Sequence, residues 1–381
     1  MTGKTERTID ELYQDDPERA DAVVFGRKTG VNRRGFLGGG GLAAMSAAVG
    51  GAIPFAANMP GGLIPAALAQ EKAAPAKGPQ YLKFPGKNPG LVVLGDRPLV
   101  AETPESLLDD DTTPNDKFFI RNNANTPDPF KGDPDSWKIT IDGEVNQKLE
   151  LTLGELKKRF RPVTRRMVLE CGGNGRSFFT PSARGNQWTN GGAGCAEWTG
   201  VRLFDVIRAA GLKGSAVFTG HYGSDGSLPD PTRPSISRGV PIRKAIDQNN
   251  LIVWAMNGEP LPNIHGGPVR LIIPGWPGSV SAKWFNRIWV RDKIHDGPGM
   301  GGTSYRVAIK PMIPGGKPDP ANFRDLESMP VRSIITSPSN GTKLAGDVRE
   351  LNLRGGAAGE FRRVNDGLQS RRRRRHRQCR S

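Results

Sequence analysis

VLECGGNGRSFF, Val168 to Phe179, is the stretch around which the rest of the chain is organised. Apolar Val168 and Leu169 run through Glu170 into Cys171, and Gly172, Gly173 and Gly175 follow before Arg176. The pattern predicts a strand over Arg166–Glu170 that ends in a glycine loop, where the backbone approaches another group closely. A thiolate at a strand end suits a soft or high-valent metal. An arginine five residues further on helps to depress the thiol pKa. On this string alone a buried, inert cysteine fits equally well. A phosphate loop does not fit, because the Walker spacing and its Lys-Ser/Thr pair are absent.

Outward from this loop the chain mixes short strands and helices without a βαβ repeat, which predicts an α+β fold. Trp137–Ile141 alternates like a strand and Asp142-Gly143 is a turn signal. Thr152-Leu153-Gly154-Glu155 is a capping box opening a helix that runs to Phe160. Leu203–Ala210 reads as a helix stopped by Gly211. Ala216–Thr219, Leu251–Met256, Val269–Ile273 and Trp284–Val290 are strand candidates, and Asn257-Gly258 is a hairpin signal. Cys195 falls in a glycine-rich block that reads as loop.

The two ends differ from this body. Arg33-Arg34 precede Phe36-Leu37 and an uncharged Gly/Ala-rich stretch that closes on Ala67-Leu68-Ala69, a small-x-small cleavage pattern before Gln70. Twin arginines mark the Tat route, so residues 1–69 are expected to be a signal peptide and the product periplasmic. Pro54, Pro60, Pro65 and the glycines among them argue against a stable membrane anchor. Residues 70–115, rich in Pro, Gly and Asp, read as an extended segment, and residues 116–328 as a compact domain. Val331–Thr336 looks like the opening strand of an all-β module over 329–361. The last stretch, 362–381, carries nine arginines and one aspartate, no strand pattern, and reads as a frameshifted or disordered tail rather than an anion-binding one. That tail accounts for +8 of the formal charge of +16, and residues 1–69 are neutral. The body therefore keeps +8, which suits an anionic substrate or an acidic partner; no nucleic-acid motif accompanies it. Three cysteines, Cys171, Cys195 and Cys379, do not make a disulfide framework.

KFFIRNN (Lys117–Asn123), ECGGNGR (Glu170–Arg176), GNQWTNGGAGCAEWTGV (Gly185–Val201), SRGVPI (Ser237–Ile242), NGEPLPNIHGGPVRLIIPG (Asn257–Gly275) and SVSAKWFNRIWV (Ser279–Val290) follow one another in fixed order. Together they resemble the sulfite oxidase family of molybdopterin enzymes, and look most like its bacterial periplasmic sulfite dehydrogenases. The resemblance covers about Lys117 to Ile335. It implies a molybdopterin domain followed by an immunoglobulin-like dimerisation module, here truncated, so that the family's homodimer is not expected of this chain. It implies a molybdenum pyranopterin dithiolene cofactor with Cys171 as the protein's metal ligand. Phe119, Arg121, Asn122 and Asn123 fall on the family's F-x-R-N string, and His265, Arg270, Ser281 and Lys283 where it holds the pterin and its phosphate, with Asp225 as an acidic pterin contact. Arg121 and Arg176, with Trp188 beside them, would face the anion pocket; forked guanidinium donors suit an oxyanion. Two positions depart from the pattern. Asn123 stands where many members have histidine. Ser235 to Arg238 occupy the stretch where many have a pocket tyrosine, leaving Arg238 to supply charge there and only Tyr222 and Tyr305 in the later part of the domain.

The resemblance implies oxidation of sulfite to sulfate by oxygen-atom transfer. The chain has no C-x-x-C-H haem attachment, so a c-type cytochrome is the expected acceptor. A sulfane dehydrogenase subunit and a periplasmic methionine sulfoxide reductase are the enzyme alternatives. A cofactor-free binding protein or an unstable truncated product is the alternative outside enzymes.

Overall fold

Thr152 and Glu155 form the capping box that their spacing predicts. The Glu155 N–H donates to Thr152 Oγ1 at 3.2 Å and the Thr152 N–H donates to the Glu155 carboxylate at 2.7 Å. Such a cap is worth about 1 kcal/mol and fixes where helix α1 (Leu153–Arg159) begins. Helix α2 (Leu203–Ala210) lies on its expected boundaries. It buries Leu203, Val206, Ile207 and Ala210 as one stripe and stops at Gly211. A single turn, α3 (Ile242–Ala245), completes the α-helices among the described residues.

In this computed structural model the described residues are 78–301, 304–312, 319–339 and 342–343, with the backbone of 354–358. All belong to the unit Lys77–Ser381. The expected signal peptide over 1–69 and the arginine-rich tail over 362–381 lie outside the described residues. Among the described residues no helix is long and apolar enough to cross a membrane.

Three sheets carry the fold. The first joins β1 (Val92–Asp96), β2 (Leu99–Glu102) and β3 (Ile120–Arg121), all antiparallel. The segment read as extended is thus in part a hairpin, and it pairs with the strand that bears Arg121. The second has the order β10-β9-β7-β6, from β10 (Glu259–Pro260), β9 (Leu251–Met256), β7 (Ala193–Arg202) and β6 (Pro162–Glu170). A further strand, β11 (Arg270–Ile272), also pairs with β9. The third has the order β5-β4-β12-β8, from β5 (Leu149–Thr152), β4 (Lys138–Gly143), β12 (Phe285–Arg291) and β8 (Phe218–Gly223). Here β12 runs parallel to β4 and antiparallel to β8, the mixed arrangement expected of an α+β domain.

Two expectations change. Cys195 is not in a loop: it lies in β7, opposite Val168 of β6. The strand expected at Ala216–Thr219 begins at Phe218 and runs on to Gly223, which brings His221 into the fold's interior. One apolar core packs α1 and α2 against the third sheet through Ile139, Ile141, Leu156, Ile207 and Phe285. A second gathers Phe118, Phe119, Leu169, Trp188, Trp198 and Ile272 on the second sheet, directly beneath Cys171.

Beyond the third sheet, β13 (Arg306–Ala308) pairs with β14 (Phe323–Asp325), and β15 (Arg332–Ser337) with β16 (Arg354–Ala358). The strand expected at Val331–Thr336 is β15, one residue later. Its Thr336 hydroxyl donates to Asp109 at 3.0 Å, and Arg332 pairs with Glu170 at 3.4 Å, so this strand is tied to the residue before Cys171.

Candidate functional site

β6 delivers Cys171 to a cleft, partly open to solvent, where the three sheets meet. β3 brings Arg121 to its wall and the turn after β3 brings Asn122 and Asn123. Asp225 comes from just beyond β8, Arg238 from the loop before α3, Arg270 from β11, and Ser281 and Lys283 from the approach to β12. Phe119 lines it as well, so ten of the residues singled out in the sequence share one cavity.

The wall is lopsided in charge. Arg121, Arg238, Arg270 and Lys283 line it, against one carboxylate, Asp225, among the described residues. Asp225 accepts a hydrogen bond from the Ser235 hydroxyl, and burial raises its pKa. Lys283 donates to Asn122 Oδ1 at 2.5 Å and to the Ile264 carbonyl at 2.8 Å, and burial drives its pKa well below the ordinary lysine value. Arg270 donates to the His265 carbonyl at 2.9 Å, is pushed down to about 9 by burial, and its Nε has no partner. The buried Nε of Arg238 is likewise unpartnered. Unsatisfied buried donors cost about 1–3 kcal/mol each. Cations gathered in this way, with donors to spare, fit a large anionic ligand such as a pterin phosphate.

Cys171 is a free thiol beside this cluster, buried, with its N–H donating to the Gly192 carbonyl at 2.8 Å. Burial pushes the thiol pKa up, while Arg121, the Gly173 N–H and Arg176 pull it down. A metal at the cleft end would complete that stabilisation of the thiolate. The residues present therefore fit a molybdopterin: one thiolate ligand, cations for its phosphate, and polar groups for its ring edge.

Three of the expected residues do not line the cleft. The Arg176 guanidinium donates to the Asn186 carbonyl at 3.0 Å and fills a notch between Gly173 and Gly185, where an added Cβ would come within 2.6 Å of it. It acts on Cys171 through the loop and through its charge. Trp188 is fully buried behind Phe119, edge to face at 5.8 Å. His265 lies on the far side of Arg270, its Nε2 3.1 Å from Lys87 Nζ, and its pKa is pushed well down by burial.

Several residues at the site have no role implied by the resemblance. Lys87 belongs to the segment read as extended, and only the fold brings it to His265. His221 lines the cleft and is held neutral: its pKa falls to about 4 through burial, with its ring between Thr219 and the Val280 carbonyl. Ser279 accepts a hydrogen bond from Arg238 at 2.8 Å, and Tyr305 lines the same wall.

The buried cations set a pH dependence. Lys87 falls from 10.5 to about 7, chiefly through burial, so the unfolded chain binds more protons across that interval. Stability of the cofactor-free protein should rise with pH from about 7 upward, and the penalty should be complete below that value. Calorimetry across this range checks the slope; a melting temperature that falls as pH rises from about 7 to about 9 contradicts it.

Fold and site together define a molybdopterin-binding oxidoreductase domain. Residues 125–298 match the oxidoreductase molybdopterin binding domain family. Mitochondrial sulfite oxidase of Macaca fascicularis is 33% identical over 73% of this chain and 52% of its own length. Sulfite oxidase of Gallus gallus is 30% identical over 74% of this chain and 61% of its own. The chain thus spans about half to three-fifths of the length of these curated relatives. The fold also matches the sulfane dehydrogenase SoxCD from Paracoccus pantotrophus, with TM-score 0.56 and 24% identity over 81% of this chain and 72% of that one. The chain belongs to the sulfite oxidase family of molybdopterin oxidoreductases.

Proposed function

We propose that this chain is a periplasmic sulfite dehydrogenase: it binds a molybdenum pyranopterin dithiolene and oxidises sulfite to sulfate, passing two electrons singly to a c-type cytochrome. The observation that carries the reading is the cleft itself, four cations against one carboxylate around a buried free thiol. Bound there, the cofactor supplies the two-electron redox centre for oxygen-atom transfer. Cys171 serves as its thiolate ligand. Among the described residues no group of three or more His, Cys, Asp or Glu side chains is arranged around a common metal position, which suits a metal whose other ligands come with its cofactor. Arg270 and Lys283 meet the phosphate, with Phe119, Asn122, Asn123, Asp225 and Ser281 along the pterin. His265 steadies this end from behind Arg270.

Arg121 and Arg238 draw the sulfite anion into the cleft and hold its oxygens, and fixed donors there stabilise charge developing as sulfate forms. Neutral His221 adds no proton to the anion near pH 7, since its pKa lies at about 4. The reading is tested on purified protein by metal analysis and by sulfite-dependent reduction of cytochrome c or ferricyanide. Near-stoichiometric molybdenum with sulfite turnover supports it; molybdenum-free protein with an intact fold moves the chain to a binding role.

Residues 1–69 act as the Tat signal, 116–328 as the catalytic domain, and β15 with β16 opens the immunoglobulin-like module through which family members dimerise. Replacing Arg33 and Arg34 together by lysine should leave the protein in the cytoplasm. Periplasmic delivery of that double variant, seen by fractionation, would overturn the export route.

A further inference from the structure

Tyr305 has no part in the six sequence blocks, yet it forms one wall of the cleft that holds Cys171. Its ring lies over Gly172, the residue after Cys171: a Cβ at Gly172 would come 3.2 Å from Tyr305 Cδ1 and 3.3 Å from Cε1. The Arg238 guanidinium lies over the ring, 4.1 Å from the centroid. Such a contact holds both groups in place. Arg238 is itself buried and held from behind by Ser279.

The backbone of Tyr305 is set for this position. Its φ is +51°, a left-handed conformation that a bulky residue rarely adopts. The carbonyl of Tyr305 accepts from the Leu326 N–H at 2.8 Å, and Arg306 beside it is paired with Asp325 at 3.1 Å across β13 and β14. A hairpin outside the three main sheets therefore holds an aromatic ring against the Cys171 loop.

We infer that Tyr305 is a specificity-determining residue: its ring narrows the approach to Cys171 so that a small oxyanion enters and a bulky sulfur compound does not. The inference rests on the proposed sulfite reading for its substrate, but the narrowing itself can be measured without turnover. A single added group in a fitted pocket changes discrimination by about 10–200-fold. A whole ring removed from the cleft wall lies at the upper end of that range.

The test uses the full chain prepared without cofactor, and follows alkylation of Cys171 by peptide mapping with iodoacetamide and with the larger N-phenylmaleimide. The ratio of the two rates is compared among wild type, Tyr305→Phe, Tyr305→Ala and Tyr305→Leu. Tyr305→Phe keeps the ring and should keep the wild-type ratio. Tyr305→Ala should speed the large reagent at least about tenfold relative to the small one. Tyr305→Leu, which keeps apolar bulk, should fall between and replaces the alanine variant if that melts early. In the loaded enzyme the same alanine variant should be inhibited by benzenesulfonate at about tenfold lower concentration, with inhibition by sulfate unchanged. An unchanged reagent ratio in both the alanine and leucine variants, or equal acceleration of both reagents, overturns the inference whether or not the protein oxidises sulfite. Absence of sulfite oxidation with the ratio shifted as expected overturns the substrate reading instead, and leaves the narrowing intact.

Discussion

Cys171→Ser is expected to leave the domain folded and to reduce turnover by more than about 100-fold, beyond what loss of an outer-shell partner of a metal costs. A hydroxyl is smaller than a thiol and keeps the side chain's place over Leu169 and Phe119, so the core on the second sheet is little disturbed. It is a poor ligand for a soft or high-valent metal, and the cations around the cleft do not make it a better one. Bound molybdenum should fall as well, measured against protein by elemental analysis. Cys195→Ser is the matched control. Cys195 sits half-buried on β7, and its N–H donates to the Thr113 hydroxyl at 3.1 Å, an interaction the substitution leaves alone. Its effect on stability should stay within about 1 kcal/mol, with turnover unchanged. Equal activity of the two variants would remove Cys171 from the chemistry.

The parts of this fold that were legible in the sequence are those whose signal is local. Helix α2 and strand β9 fall on their expected residues because an apolar stripe and a glycine stop bound the one, and Asn257-Gly258 closes the other. The Thr152 cap was legible for the same reason. Strand β7 was not, because its glycines read as loop. The structure shows what they are for: a Cβ at Gly194 would meet the Phe118 ring at 2.6 Å, and one at Gly200 the Ile252 carbonyl at 2.0 Å. Close approach between strands and aromatic core asks for glycine where propensity asks for anything else.

The site divides along the same line. Cys171, Arg121, Arg270 and Lys283 stand in ordered blocks and meet in the cleft. Lys87, His221 and Tyr305 reach the site through contacts far apart in the chain: Lys87 is 178 residues from its partner His265, and Tyr305 hangs on a hairpin formed after the last main strand. The sequence order of blocks also could not separate Arg121 from Arg176. Only the notch between Gly173 and Gly185 shows that the second is turned away from the cleft wall.

That difference makes the two arginines separable in kinetics. Near neutral pH sulfite is a mixture of bisulfite and the dianion, an anion in either form, and Arg121 faces the cleft where it would bind. Arg121→Met should raise KM for sulfite strongly, by a penalty on the order of 2–5 kcal/mol, the cost of truncating one partner of a desolvated charge pair. Arg176→Met removes the hydrogen bond to Asn186 and a charge that lowers the Cys171 pKa, without touching the cleft wall. Its loss should appear mainly in kcat, because the loop and the thiolate are altered while the anion's own contacts remain. The contrast is read from a panel at low salt with cytochrome c or ferricyanide as acceptor. Sulfite is set against thiosulfate in the oxidising direction, and methionine sulfoxide is tried in the reducing direction with a viologen donor. A neutral sulfoxide gains little from a wall of four cations, so its reduction should be slow in the wild type and nearly insensitive to Arg121→Met. Fast sulfoxide reduction without sulfite oxidation would assign the cleft to a reductase, and equal KM effects from the two arginines would show that Arg176 turns into the cleft when the anion binds.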